Sequence, residues 1–218
     1  RPLDPASAAG VRTPTPLFHN CSGKHAGMLL ACVRQGWAAP NYRSKTHPLQ
    51  RCVLRAIRSL AGVEPIVGVD GCGVPVHGMP LRAIATMYAR LGDAERAGAT
   101  LAPTLRRATD AMRAEPYLVG GRDRDDTAVM AAIPGIVMKE GAEALNCVAV
   151  PAAGLGIAVK VADGGYRAAG PATIAVLEAL GSIPSPARRS LEKLARPLVR
   201  GGGRAVGHLE PLVELRHR

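Results

Sequence analysis

Two segments of the sequence place polar side chains between glycines, an arrangement suited to binding a ligand. The first is Cys21-Ser22-Gly23-Lys24-His25-Ala26-Gly27, and the second is Asp70-Gly71-Cys72-Gly73. Glycines let backbone N–H groups approach a ligand closely. If the two segments meet in the folded chain, the thiols of Cys21 and Cys72 could share a metal ion. Spacing alone does not decide for zinc, because the chain contains no Cys-x-x-Cys or His-x-x-x-His pair.

The first of these segments is predicted to lead into a helix that begins near Gly23. Such a helix would aim its N-terminal amides and its positive dipole at the neighbouring side chains. Cys21 lies there, close to the ammonium of Lys24. We therefore expect the pKa of the Cys21 thiol to be lowered. The alternative is a capped helix in which the cysteine has no chemical role.

Lysine is rare in this chain, with five lysines among 28 basic residues. Because lysine, unlike arginine, can lose its proton in a protein, each is a candidate for chemistry. Lys139 is on a predicted strand, and Lys139-Glu140-Gly141 resembles in outline the Lys-Thr-Gly strand of serine β-lactamases, although such triplets are common by chance. Ser190-Leu191-Glu192-Lys193 fits the Ser-x-x-Lys nucleophile motif but lies in a charged surface helix. We interpret Ser190 as a helix cap or an exposed residue.

The order of the predicted elements favours an α+β fold, because most helices come first and strands follow without regular alternation. The predicted helices are at 28–34, 46–62, 80–91, 94–113 and 172–180, with a short helix capped by Asp126 or Thr127 and a charged helix after Pro184. The predicted strands are at 65–69, which we expect to be buried, and at 136–139, 147–150, 155–161 and 205–209. The strands at 147–150 and 155–161 are expected to form a hairpin.

Composition excludes some classes of function. The net charge is +11, but the basic residues are scattered and aromatic residues make up only 3% of the chain. Because base stacking needs aromatic side chains, no nucleic-acid partner is expected. No apolar run approaches about 18 residues, so no membrane association is expected either. Five cysteines without paired spacing argue against a disulfide framework, and the protein is expected to be cytoplasmic.

Three segments of the sequence together resemble one family of enzymes. Cys21 to Met28, Asp70 to Pro75 and Lys139 to Glu143 are similar to segments of the rhizobial-type L-asparaginases, also called the asparaginase II family. The resemblance extends from about residue 2 to about residue 215 and includes Asp126-Thr127. It implies a serine β-lactamase-like α+β fold, hydrolysis of L-asparagine to aspartate and ammonia, and a homodimer in the full-length form.

The resemblance also implies roles for individual residues. Family members carry a zinc site, whose ligands match Cys21, Lys24 and Cys72. A lysine ligand must be a neutral amine, which zinc and burial together would favour by depressing its pKa. Lys139 matches a strand lysine that takes part in catalysis by tuning a serine nucleophile. The residues expected to contact the substrate are His25, Asp70 and Glu143.

The family's nucleophilic serine and a second catalytic serine lie in an N-terminal third that has no counterpart in these 218 residues, and the chain begins with Arg1. We therefore expect residues 1–218 to form a partial asparaginase domain without its N-terminal third, inactive alone. Two alternatives remain open. One is a non-catalytic, zinc-stabilised remnant that binds an amino acid. The other is an enzyme for glutamine or another amide, because a single methylene changes binding by only about 1–3 kcal/mol.

Overall fold

A computed structural model describes Pro2 and residues 4–216 of the chain. Its contacts divide the chain into two compact units, Arg1–Met79 and Pro80–Arg218. Each unit has its own helices and its own small sheets. Arg1 is not among the described residues, so the structure does not test the expectation that an N-terminal third is missing upstream of it.

The first unit is mainly helical and contains one small sheet. Its elements are α1 (Pro5–Ala9), α2 (Ser22–Gln35), α3 (Pro48–Ala61), β1 (Ile66–Val69) and β2 (Pro75–Gly78). The α3 helix confirms the prediction for 46–62. The His47 side chain caps it by accepting a hydrogen bond from the N–H of Leu49, and Gly62 ends it at a φ of 72°.

The α2 helix begins at Ser22, which agrees with the predicted start near Gly23 and lies before the apolar stretch predicted from Met28. A glycine inside a helix costs only about 1 kcal/mol, so Gly23 and Gly27 do not keep this segment out of the helix. Gly36 ends α2 in the left-handed conformation, at a φ of 66°. Lys24 and His25 consequently lie in the first turns of a helix instead of in a loop.

The strands β1 and β2 pair antiparallel in a two-stranded sheet. A tight turn joins them, in which the N–H of Asp70 donates to the Val74 carbonyl and the N–H of Gly73 donates to the Asp70 carbonyl, both at 2.8 Å. Gly73 has a φ of 84°, which a residue with a side chain rarely adopts. The prediction that β1 is buried is wrong. All four of its residues are exposed, because a sheet of two strands leaves its faces largely open.

The second unit combines helices with a three-stranded sheet and a separate hairpin. Its elements are α4 (Leu81–Gly92), α5 (Ala102–Ala114), α6 (Pro116–Gly120), α7 (Asp125–Ala132), β3 (Val137–Gly141), β4 (Leu145–Val150), β5 (Leu155–Lys160), α8 (Ala169–Ala179), α9 (Ser185–Ala195), β6 (Leu198–Gly201) and β7 (Arg204–His208). The predicted helix at 94–113 is interrupted. A 3-10 turn, Ala94–Ala97, is separated from α5 by Gly98, whose φ is 84°.

The three-stranded sheet has the order β3-β4-β5, with antiparallel pairing throughout, so the predicted hairpin of β4 and β5 is confirmed. Lys139 on β3 lies opposite Cys147 on β4. The α4 helix packs against β4 and β5. It approaches β5 closely because residue 156 is glycine, where a Cβ atom would collide with the carbonyl oxygen of Ala85. The α4 helix and the strands β4 and β5 are therefore closely packed against each other.

The core of the second unit lies between the sheet and the helices α7, α8 and α9. Its fully buried side chains include Val129, Met138, Val148, Ile174, Leu177 and Leu191. Short antiparallel sheets combined with segregated helices make the fold α+β, as predicted. Within the described part of the chain, no helix has the length and apolar character needed to cross a membrane.

Candidate functional site

The two glycine-rich segments meet in the first unit. The thiol sulfurs of Cys21 and Cys72 and a carboxylate oxygen of Asp70 all lie within 4.8 Å of one another. The ammonium of Lys24 is 3.4 Å from Asp70 Oδ2. We call these four residues the donor cluster. Cys21, Lys24 and Cys72, which the family resemblance matched to zinc ligands, therefore lie together. Asp70, which was expected to contact the substrate, lies among them.

Two elements position the donor cluster. Cys21 immediately precedes α2 and Lys24 lies in its first turn, whereas Asp70 and Cys72 lie on the turn between β1 and β2. The Cys72 thiol donates a hydrogen bond of 3.1 Å to Asp70 Oδ2. The other oxygen, Asp70 Oδ1, accepts from the N–H of Gly71 at 2.8 Å. Asp70 thus links the turn to the helix.

The expected lowering of the Cys21 pKa is wrong. Burial raises the pKa of the Cys21 thiol, and the negative charges of Cys72 and Asp70 raise it further, which together outweigh the opposing charge of Lys24. Burial lowers the pKa of Lys24, but Cys21, Cys72 and Asp70 favour its ammonium, so the net pKa is raised. A hydrogen bond from the Cys72 thiol lowers the pKa of Asp70, and burial acts in the opposite direction. Hydrogen bonds from the Gly71 N–H and from Lys24 lower it further, so the net pKa is lowered.

The chemistry of the donor cluster fits a zinc ion. Two thiols with nitrogen and oxygen donors are the ligands that zinc accepts in tetrahedral sites. Zinc–sulfur bonds of about 2.3 Å place tetrahedral ligands about 3.8 Å apart, so ligand atoms within 4.8 Å need only small shifts. A divalent cation would also favour the thiolates and the neutral amine of Lys24. Cys21, Cys72 and Lys24, with Asp70, are the residues that could hold it.

His25, one turn into α2, lies near the donor cluster but bonds elsewhere. Its Nδ1 is 2.5 Å from the hydroxyl of Tyr42, and the two rings meet edge to face at 5.7 Å. Burial lowers the pKa of His25, and the charges of Lys24 and Arg43 lower it further. The lowered pKa favours the neutral form of the His25 imidazole, which Tyr42 holds in place and which is suited to exchanging hydrogen bonds with a polar ligand.

A cavity of about 390 Å³ adjoins the donor cluster within the same unit. Residues 39–44 and Gly73 line it, and Gly73 directly follows Cys72. The guanidinium of Arg43 lies over this turn. A Cβ atom at residue 73 would stand only 2.8 Å from Arg43 Nη1. Glycine at residue 73 thus allows the turn to adopt its positive φ and leaves room for Arg43 beside the cavity.

The second unit contains a lysine–carboxylate pair. The ammonium of Lys139, on β3, donates to Asp126 Oδ2 at 2.6 Å. Asp126 is fully buried, with 0% of its side chain exposed, whereas 40% of the Lys139 side chain is exposed. The buried carboxylate thus holds the ammonium of a lysine whose side chain remains partly exposed.

The sequence predicted that Asp126 or Thr127 caps α7, and both alternatives are wrong. The helix begins at Asp125 with Arg124 at the cap position, and Asp126 in its first turn points into the unit. Asp126 and Glu140 bond reciprocally: the N–H of Glu140 donates to Asp126 Oδ2, and the N–H of Asp126 donates to Glu140 Oε1, both at 3.2 Å. Arg124 forms an ion pair with Glu140. The first turn of α7 is thereby fastened to β3.

Comparison with protein families decides what kind of protein this is. A family model described as L-asparaginase II matches residues 3–211. The chain belongs to the L-asparaginase II family. It is an amidohydrolase, and membership of this family indicates hydrolysis of asparagine. No curated protein sequence matches the chain.

In this member of the L-asparaginase II family, Glu143 is set apart from Lys139. Glu143 lies exposed in the turn between β3 and β4 with a φ of 59°, and its carboxylate lies against Gly164. Among the described residues, no hydrogen bond or ion pair joins it to Lys139. Ser190 is exposed on α9, and its hydroxyl donates to the Ala187 carbonyl at 2.8 Å, as expected of a residue without a catalytic role.

Sequence reasoning missed two features of this L-asparaginase II chain. Tyr42 and Arg43 lie on an irregular segment without periodicity, so no pattern marked them. Asp126 was noticed as a candidate helix cap and as part of the family resemblance, but not as the partner of Lys139. Lys139, on a predicted strand, was the signal that could have indicated this pairing, because a buried carboxylate such as Asp126 needs a positively charged partner.

Proposed function

We propose that this amidohydrolase converts L-asparagine to aspartate and ammonia by serine-based acyl transfer on a serine β-lactamase-like fold. A serine oxygen attacks the carbon of the side-chain amide, the C–N bond breaks, and the nitrogen leaves as ammonia with the proton of the hydroxyl. Water then cleaves the ester, which releases aspartate and restores the hydroxyl. The observation that carries the proposal is the ammonium of Lys139 on β3, which is hydrogen-bonded to buried Asp126 while the lysine side chain stays partly exposed.

Lys139 tunes the serine in this mechanism. A positive charge near a hydroxyl favours its loss of a proton and stabilises the negative oxygen that forms when the amide is attacked. Lys139 is on an edge strand, and backbone N–H groups along such an edge would assist in stabilising that oxygen. Neither Ser190, on the surface of α9, nor Ser22, in the first turn of α2, is assigned as the nucleophile. We propose that these 218 residues do not complete the reaction alone.

For the metal, we propose Zn²⁺ held by Cys21, Lys24 and Cys72, with Asp70 beside it. Bound there, zinc would connect α2 to the turn between β1 and β2 and add positive charge next to the cavity. That charge would help to place a substrate carboxylate and would not serve as a source of hydroxide. Support comes from the convergence of the donor cluster within one unit.

For substrate binding, we propose that Arg43 binds the α-carboxylate of the amino acid at the cavity. Arginine suits this role because its planar guanidinium binds a carboxylate through two parallel hydrogen bonds. The cavity, at about 390 Å³, has room for asparagine and its hydration water. His25, held by Tyr42, provides a neutral polar group nearby.

The competing function is a zinc-stabilised protein that binds an amino acid without hydrolysing it. One observation favours it: the donor cluster and the cavity lie in the first unit and are separate from Lys139 in the sequence and in the unit division. Both functions predict binding of aspartate, and only the first predicts turnover once a suitable serine is supplied.

Ammonia release distinguishes the two functions. The assay compares the 218-residue chain with a chimera in which these residues follow the N-terminal third of an active family member, with asparagine and glutamine as substrates. We expect ammonia from asparagine in the chimera and none from the chain alone. An inactive, folded chimera supports the binding protein. Turnover by the chain alone overturns the proposed need for an additional serine and makes Ser22 the candidate nucleophile.

A further inference from the structure

We propose that Asp126 is the positioning residue of Lys139, whose ammonium it holds in place through a charge-assisted hydrogen bond, so that Lys139 acts as a fixed cation. The catalytic meaning of this pair rests on the proposed function. The pair itself rests on geometry alone. Asp126 would act only through Lys139, without touching the substrate.

The buried carboxylate of Asp126 is fully hydrogen-bonded. Its Oδ2 accepts from Lys139 Nζ at 2.6 Å and from the N–H of Glu140 at 3.2 Å, and its Oδ1 accepts from the N–H of Thr127 at 3.0 Å. A buried carboxylate that lacks a positive partner is strongly unfavourable. Two of the three donors are neutral amides, so the ammonium of Lys139 supplies the balancing charge.

The surrounding charges leave Lys139 as the partner of Asp126. Arg124, the nearest other cation along the chain, forms its ion pair with Glu140. Asp125, the adjacent carboxylate, accepts from the side-chain amide of Asn146 at 3.3 Å. Among the described charged side chains near the start of α7, Asp126 therefore forms its ion pair with Lys139, whereas Glu140 forms its ion pair with Arg124.

The fold keeps Asp126 from moving away. Residue 120, at the end of α6, is glycine, and a Cβ atom there would collide with Asp126 Oδ1 and come close to the Thr127 hydroxyl. That hydroxyl donates to the Pro116 carbonyl at 3.2 Å and so fastens α7 to α6. Lys139 is equally fixed, because its backbone lies in register with Cys147 in the sheet. Such closely fitted surroundings are typical of residues that hold a catalytic group in place.

The test is competitive acetylation of the folded 218-residue chain with a trace of acetic anhydride, read lysine by lysine by peptide mass spectrometry. This reagent reacts with neutral amines only. Lys193, exposed on α9, is the internal reference. We expect Lys139 to react about ten-fold more slowly than Lys193, because its charge-assisted hydrogen bond to Asp126 must break before the nitrogen can attack the anhydride.

Two variants complete the test. In Asp126→Asn, which keeps the shape and loses the charge, Lys139 should react within about two-fold of Lys193. In Glu140→Gln, the matched control at the same turn, Lys139 should stay slow. Equal rates for Lys139 and Lys193 in the wild-type chain would overturn the proposal, and so would slow labelling of Lys139 in a folded Asp126→Asn variant. Should that variant not fold, the wild-type rates decide alone.

The labelling does not need turnover, so it separates this inference from the proposed function. Slow Lys139 labelling together with an inactive chimera would leave the pair intact and refute the enzyme mechanism. In an active chimera, Asp126→Asn should lower kcat with little change in KM, and Asp126→Glu should restore part of kcat. A structural role alone would instead change stability and leave the ratio of Lys139 to Lys193 labelling unaltered.

Discussion

The sulfur atoms of Cys21 and Cys72 lie within 4.8 Å of each other, although one precedes α2 and the other lies on the turn between β1 and β2. Asp70 bonds to the Cys72 thiol and pairs with Lys24, so the cluster joins a helix start to a strand turn. The geometry is that of a site assembled by tertiary folding. Its residues offer the mixed sulfur, nitrogen and oxygen donors that suit zinc.

Loss of either thiol should abolish stable zinc binding. After dialysis against a low concentration of zinc, the wild-type chain is expected to retain about one zinc ion per chain. Cys72→Ser should weaken binding by at least about 100-fold, since a hydroxyl is a far poorer zinc ligand than a thiolate. Metal analysis with a chromophoric competitor measures this. Cys52→Ser, in α3 and outside the cluster, is the matched control, and equal loss in both variants would refute the assignment.

Arg43→Gln should weaken binding of L-aspartate, the expected product, by about ten-fold or more, because two charge-assisted hydrogen bonds are lost. Isothermal titration calorimetry of the zinc-loaded chain measures the affinity. Arg34→Gln, an exposed arginine in the last turn of α2, should leave it unchanged. Unchanged affinity in Arg43→Gln would remove Arg43 from the substrate site.

Gly73→Ala should be costly, whereas Gly71→Ala in the same turn should be nearly neutral. At residue 73 the φ of 84° and the nearby Arg43 guanidinium both oppose a side chain, but at residue 71 a Cβ atom would meet no neighbour within 4 Å. We expect Gly73→Ala to lower the free energy of unfolding by about 1–2 kcal/mol. Urea unfolding measures both variants. Equal stabilities would show that the turn does not constrain residue 73.

Glu140→Gln should change how stability depends on pH. Burial, together with the nearby charge of Asp126, raises the pKa of Glu140 above its usual range despite the opposing effect of Arg124. A carboxyl whose pKa is higher in the folded chain contributes stability below its unfolded pKa and loses it as the pH rises through the folded pKa. The variant should therefore gain stability relative to wild type as the pH rises above about 4, the pKa of an unperturbed glutamate. Urea unfolding at several pH values measures the difference in the free energy of unfolding between the variant and wild type. A difference that stays constant or falls as the pH rises would contradict the prediction.

Much of the first unit could be predicted from short-range patterns. His47, Pro48 and Gly62 mark the ends of α3 by chemistry that depends only on neighbouring residues. The donor cluster could be predicted only in part from its residue types, which indicated that Cys21 and Cys72 could share a metal; Lys24 was added as a ligand by the family resemblance. The exposure of β1 could not be predicted, since an apolar run shows a tendency to be buried and not the number of strands that will cover it.

In the second unit, local sequence patterns could not predict which side chains would contact each other. Lys139 was found because lysine is rare in this chain, but its partner Asp126 was interpreted as a cap. Whether an aspartate at a helix start turns outward to cap or inward to a partner depends on what another strand brings near it. Arg43 was missed for a related reason: its place beside Gly73 is fixed by tertiary structure and leaves no local pattern.

The most direct test of the account is the turnover number of the active chimera with and without Lys139. Lys139→Met removes the ammonium and keeps the length of the side chain, and Lys160→Met, on β5 of the same sheet, is the control. With asparagine as substrate, we predict that Lys139→Met lowers kcat about 10³-fold and that Lys160→Met leaves it within about two-fold. Full turnover by a folded Lys139→Met chimera would contradict the account.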